Sequence, residues 1–130
     1  MNYLQAEIEE ELLNNSIEVV RVLGAELDGF LSYVESLFYE SGGGLDPRYI
    51  REASSCYDAD FWRKVVCQEE SFVYLMVVDD EWHVWQFQSP KDLQLLLHET
   101  TGFIYWLIDS TKKVLVFCGD SDEVVWSRVE

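Results

Sequence analysis

The hydrophobic period of this chain changes near its middle, and that change limits the folds open to it. Up to Val66 the apolar residues recur mostly every three or four positions. From Phe72 onward they come in short continuous or alternating runs. The first spacing lays a stripe along a helix, and the second lines the faces of strands. The pattern predicts an α-rich N-terminal half followed by β-β-α-β-β-β. That is an α+β fold in which N-terminal helices pack on a mainly antiparallel sheet of about five strands.

In the first half, Leu4, Ile8 and Leu12 stand four apart among Glu7, Glu9, Glu10 and Glu11. This predicts an amphipathic helix over 4–13, with acid towards the end where the helix dipole favours it. Asn14-Asn15-Ser16 breaks it, and Ser16 suits the N-cap of the next segment. Ile17, Val20, Leu23, Leu27, Phe30, Leu31, Val34, Leu37 and Phe38 then predict a long core-facing helix ending near Glu40. Gly24 and Gly29 interrupt it at about 1 kcal/mol each relative to Ala, so a kink or a split belongs to this reading. The β-branched run Ile17, Val19, Val20, Val22 also fits a strand, which leaves 16–24 open between helix and strand. Ser41-Gly42-Gly43-Gly44 ends the stripe, without the Lys-Ser or Lys-Thr pair of a phosphate-binding loop. Asp46-Pro47 starts a short helix through Ala53, and a second follows Asp58 or Asp60 through Val66.

In the second half, Phe72–Val78 and Trp82–Gln88 form a hairpin about the turn Asp79-Asp80-Glu81. Ser89-Pro90-Lys91-Asp92 reads as a helix start with a Ser cap, and Gly102 stops that helix. Phe103–Ile108 and Lys113–Cys118 make a second hairpin, and Gly119-Asp120-Ser121-Asp122 turns the chain into a last strand from Glu123 to Val129. One domain of 1–130 is expected, since 130 residues bury roughly two thirds of the unfolded surface.

Charge decides which partners suit such a domain. The chain carries 25 acids against 9 Lys and Arg, a net −16, yet 48% of it is hydrophobic and 15% aromatic. Disordered acidic chains lack that apolar content, so this acid decorates a packed core. It is spread evenly: residues 1–65 hold 13 acids and 5 bases, residues 66–130 hold 12 and 4, and each half carries −8. The sign disfavours direct contact with nucleic acid or anionic membrane. The start, Met1 to Glu7, lacks the basic and apolar regions of a signal peptide, and a cytoplasmic location is expected. Cys56, Cys67 and Cys118 are an odd number without a CxxC pair and fit reduced thiols, Cys67 and Cys118 buried ones.

Catalytic signatures are lacking. His83 and His98 are the only histidines, and His98 beside Cys118 or Cys56 carries no local motif for a nucleophile. His98 falls in the last turn of an expected helix, where a cation suits the dipole. The cysteines and histidines show no paired ligand spacing, and Asp120-Ser121-Asp122-Glu123 lacks the further oxygen ligands and Gly of a calcium loop. No catalytic residue, cofactor or metal is expected, and the chain is read as a binding protein rather than an enzyme. The candidate contacts are the acids Asp79, Asp80, Glu81, Asp120, Asp122 and Glu123, the anchors Trp82 and Trp85, and the outlying Asp58 and Asp60. Acid governs encounter and register with a basic partner, while large rings hold the complex. A net of −16 also exceeds the charge of roughly 2 to 8 that solubility asks of a small domain.

The C-terminal stretch from Phe103-Ile104-Tyr105-Trp106-Leu107-Ile108-Asp109 to Gly119-Asp120-Ser121-Asp122-Glu123-Val124-Val125-Trp126, set in a small acidic α+β chain, resembles the ends of immunity proteins of bacterial toxin systems. That resemblance implies a one-to-one antitoxin complex. In it the protein neutralises a cognate basic toxin, a nuclease, by covering its active or substrate-binding surface. The alternatives are a nucleic-acid mimic that inhibits a DNA- or RNA-binding protein, and a non-catalytic interaction domain.

Overall fold

The structure is a computed structural model that describes residues 3–100 and 102–129. Its order is α1 (Tyr3–Asn14), β1 (Val19–Val22), α2 (Gly24–Phe38), β2 (Ser54–Tyr57), β3 (Phe72–Val78), β4 (Trp82–Phe87), α3 (Pro90–Glu99), β5 (Tyr105–Asp109), β6 (Val114–Cys118) and β7 (Glu123–Arg128). Short 3-10 helices occupy Pro47–Tyr49 and Phe61–Cys67. The strands form a seven-stranded sheet in the order β1-β4-β3-β5-β6-β7-β2, with every pairing antiparallel. The α+β class and the β-β-α-β-β-β order of the second half match the sequence reading. The strand number is seven rather than about five, because each edge of the sheet comes from the first half.

β1 is one of those edges. The Val19-Val20-Arg21-Val22 segment is a strand, and the long helix expected from Ile17 is α2 alone. Three β-branched residues on a short segment favour the pleat, where their stiff side chains pack against β4. Gly24, at φ +59, lets the chain turn out of the strand into the helix, as other residues rarely do. β2 is the other edge. Ser54-Ser55-Cys56-Tyr57 is exposed throughout and carries no apolar alternation, so its pairing to β7 has no signature in its own residues. The short helix expected through Ala53 contracts to Pro47–Tyr49, where the Asp46 carboxylate caps Arg48 N at 2.9 Å.

Helices cover both faces of the sheet. On one face Ile8 and Leu12 of α1, Leu93, Leu96 and Leu97 of α3, and Val65 pack on Leu75, Trp85, Leu107 and Val116. On the other, Phe30, Val34 and Phe38 of α2 pack on Met76, Val84, Ile108 and Phe117. Burial on two sides is why β3 and β6 read as continuous apolar runs rather than alternating ones. In β3 the register with β5 shifts between Phe72 and Tyr74, and this bulge accompanies Val73 and Tyr74 packing in the same core cluster. Each fully buried Leu or Phe contributes roughly 1.5–3 kcal/mol, and two such layers hold the sheet. Among the described residues no helix is long and apolar enough to cross a membrane.

Candidate functional site

Strand direction determines where the acidic turns stand. β3 ends at Val78, opposite Trp82. Tyr105, at the start of β5, pairs with Cys118, at the end of β6, and Tyr57, at the end of β2, pairs with Glu123. Met76 opposite Trp106 brings β3 and β5 into the same alignment. The 79–81 turn, the 119–122 turn and the 58–60 segment therefore all leave one end of the sheet. The two turns are three strand spacings apart, roughly 14 Å. All eight acids singled out from the sequence lie at this end. Of the nine bases, Lys112 and Lys113 in the β5–β6 turn, Arg128 at the end of β7, Lys91 beyond β4 and Arg51 ahead of β2 belong to the other.

At the acidic end, Asp58, Asp120, Asp122 and Glu123 line one cleft of about 400 Å³ with Phe61, Trp62, Phe103 and Tyr105. The cleft is built by short local bonds. Asp122 adopts φ 65, a left-handed conformation that Asp tolerates, and its carbonyl accepts Asp58 N at 2.8 Å. Gly119 N donates to Glu123 O at 2.9 Å, and a Cβ on Gly119 would collide with the Glu123 side chain. Asp58 accepts Lys64 Nζ at 2.8 Å and Asp60 N at 3.0 Å, and these bonds hold its carboxyl below the usual carboxylate range. Asp60 faces Arg63 at 3.8 Å. Asp120, Asp122 and Glu81 are exposed and have no basic partner among the described residues. The wall is aromatic: Trp62 packs on His98 at 5.1 Å between centroids, carries Arg63 over its ring at 4.8 Å, and Phe103 meets Tyr105 edge-on at 5.8 Å.

The remaining candidates divide differently. Trp85 is 1% exposed and belongs to the core, so it presents no surface to a partner. Trp82 is half-buried, edge-on to Trp106 at 4.9 Å. Asp79 turns inward. Its carboxylate accepts His83 Nε2–H at 2.8 Å, Glu81 N at 3.1 Å and Gln5 N at 3.4 Å. Burial opposes ionisation there, but those donors together outweigh it and hold the carboxyl below its ordinary value. On the other side of the ring, Arg21 Nη2 lies 2.6 Å from His83 Nδ1. Arg only donates, so Nδ1 accepts and the proton sits on Nε2. Arg21 Nη1 also reaches Glu9 Oε1 at 2.7 Å, and its guanidinium lies over Trp85 at 4.8 Å. Asp79, His83, Arg21 and Glu9 thus form one chain of bonds tying β4 to β1 and α1.

His98 and Cys118 both line the cleft, yet the ring of His98 packs at a tilt against Trp62. Burial pushes the Cys118 thiol up to about 12, while Tyr105 donates to its sulfur. At neutral pH it is a protonated thiol rather than a nucleophile. Cys67, expected to be buried, is exposed together with Cys56, because the 61–67 helix buries only Val65. Among the described residues no group of three or more His, Cys, Asp or Glu side chains is arranged to hold a metal ion. Phe61, Trp62, Phe103 and Tyr105 are cleft residues that no sequence motif singles out. Their only signal was aromatic type next to turns and helix ends. No protein-family model matches the chain, and neither does any curated protein or any solved structure.

Proposed function

We propose that this protein is an immunity or inhibitor protein that binds a basic toxin, a nuclease, and covers its active or substrate-binding surface from inside the cell. The observation that carries the reading is the gathering of the turn acids at one end of the sheet, where Asp58, Asp120, Asp122 and Glu123 line a cleft walled by aromatic side chains. Nucleases that grip an anionic substrate present Lys and Arg, and a rigid acidic surface competes for those groups. Charge of this kind raises the encounter rate and selects orientation, while rings such as Trp62 and Phe103 supply desolvated contact. The proposal needs no chemistry from the protein itself.

Capture from the native host tests it. The protein is immobilised beside a variant carrying Asp120→Asn, Asp122→Asn and Glu123→Gln, and the retained partner is identified and assayed for nuclease activity. The expected result is a basic nuclease retained by the wild type, inhibited at equimolar ratio and released by the variant. A partner held equally by both proteins, or one that stays fully active in the complex, contradicts the proposal.

A further inference from the structure

The free edge at β1 has features that the acidic cleft does not explain. β1 pairs with β4 on one side only, and the sheet ends there. Among the described residues its outward amides and carbonyls have no strand partner, which is the template that an added strand uses. Its shortness, four residues, is the one usual protection it has, since Val19-Val20-Arg21-Val22 holds no Pro or Lys and its register with β4 is unbroken. The one charge on the strand is engaged elsewhere, by Glu9, His83 and Trp85.

Beside this edge runs a groove of about 960 Å³, lined by Leu12, Leu13, Ile17, Val19, Val20 and Phe87. Leu13 is 82% exposed and Val20 60%. One exposed aliphatic side chain is ordinary. Here Leu13 borders the groove and Val20 stands on the opposite face of the strand, so an unpaired edge is exposed and apolar on both sides, the mark of an interaction surface. The rim is acidic, with Glu9 and Glu18 on it and Glu7, Glu10 and Glu11 on the adjoining helix. Of these acids only Glu9 has a basic partner among the described residues. A second copy would set one −16 surface against another. The opposite edge, β2, offers Ser54, Ser55 and Cys56 with a single exposed ring, Tyr57, at its end, and no groove lined by aliphatic side chains of its own.

We propose that β1 takes up an extended segment of a partner protein in which Lys or Arg alternates with apolar residues, paired as a further strand with its apolar side chains in the groove. β1 and the β7–β2 side lie at opposite ends of the strand order, so this surface is separate from the cleft. The proposal therefore does not depend on the toxin reading.

The test uses the full chain, a labelled synthetic peptide of alternating lysine and valine, and the same peptide N-methylated at alternate backbone amides. The expected result is binding of the first peptide in fluorescence anisotropy and about tenfold weaker binding of the second, which has lost strand hydrogen bonds. Hydrogen exchange should slow at 19–22. Leu13→Lys and Val20→Lys, both at exposed positions, should weaken binding by a similar factor, whereas Asp120→Asn with Asp122→Asn should leave most of it. Absence of binding, equal binding of the two peptides, or protection at 54–57 in place of 19–22 overturns the proposal. So does a dimer of the protein alone that Val20→Lys dissolves, because the occupant would then be a second copy.

Discussion

At the scale of single residues, Asp79 has the clearest physical consequence. Against the cost of burial, bonds from His83, Glu81 N and Gln5 N hold its carboxyl low in the folded protein. A carboxyl whose value falls on folding stabilises the fold at pH values above its unfolded value of about 3.9. That stability is lost as pH falls through the lower folded value. Asp79→Asn should cost about 2 kcal/mol at pH 7, since a charged acceptor in a buried network is removed. The difference between variant and wild type should shrink as pH drops from about 5 to 2. Urea midpoints across that range check it, and a constant difference at every pH would show that the charge on Asp79 is irrelevant. The sequence marked Asp79 as an exposed turn acid because turn acids usually face water. Its burial depends on Gln5, which is distant in sequence, and on a histidine whose partners no local pattern announces.

At the scale of elements, the second half of the chain was legible because its strands and its one helix differ in period and are separated by Gly, Pro and Asp turns. The first half was less so. Ile17–Val22 satisfies a helical stripe and a β-branched run at once, and only the free edge of β4 decides between them. Ser54–Tyr57 becomes a strand by pairing alone. The two glycines that interrupt the helical stripe differ in conformation, and they predict opposite effects. Gly24 sits at φ +59, so Gly24→Ala should destabilise by about 1–2 kcal/mol. Gly29 lies inside α2, and an added Cβ would meet nothing within 4 Å, so Gly29→Ala should stabilise by about 0.5–1 kcal/mol. Thermal melts of the two variants check the pair. Equal signs would contradict the split of residues 17–38 into strand and helix.

At the scale of the whole molecule, charge is polarised rather than uniform. The sequence showed −8 on each half, which says nothing about position in space. Antiparallel pairing then gathers the turn acids at one end of the sheet and Lys112, Lys113 and Arg128 at the other, where Arg128 pairs with Glu70. The acids were legible as candidates, but the aromatic wall was not. Phe61, Trp62, Phe103 and Tyr105 come from separate segments, and only the fold brings them together. At this end Lys64 and Arg63 offset only Asp58 and Asp60, and the remaining excess of acid repels itself, so salt should stabilise the protein. Raising sodium chloride from about 0.05 to 0.5 M should lift the melting temperature by about 3–5 °C. A chain held by its ion pairs would show the reverse.

The role proposed for the acidic end around the cleft is to draw in a basic protein. The most direct measurement is the association rate of the captured partner with the wild type and with the Asp120→Asn, Asp122→Asn, Glu123→Gln variant, followed by stopped flow as salt rises. The wild-type rate should fall by about tenfold or more between about 0.05 and 0.5 M salt, and the variant rate should start lower and fall less. A rate independent of salt, or identical curves for the two proteins, would contradict that role.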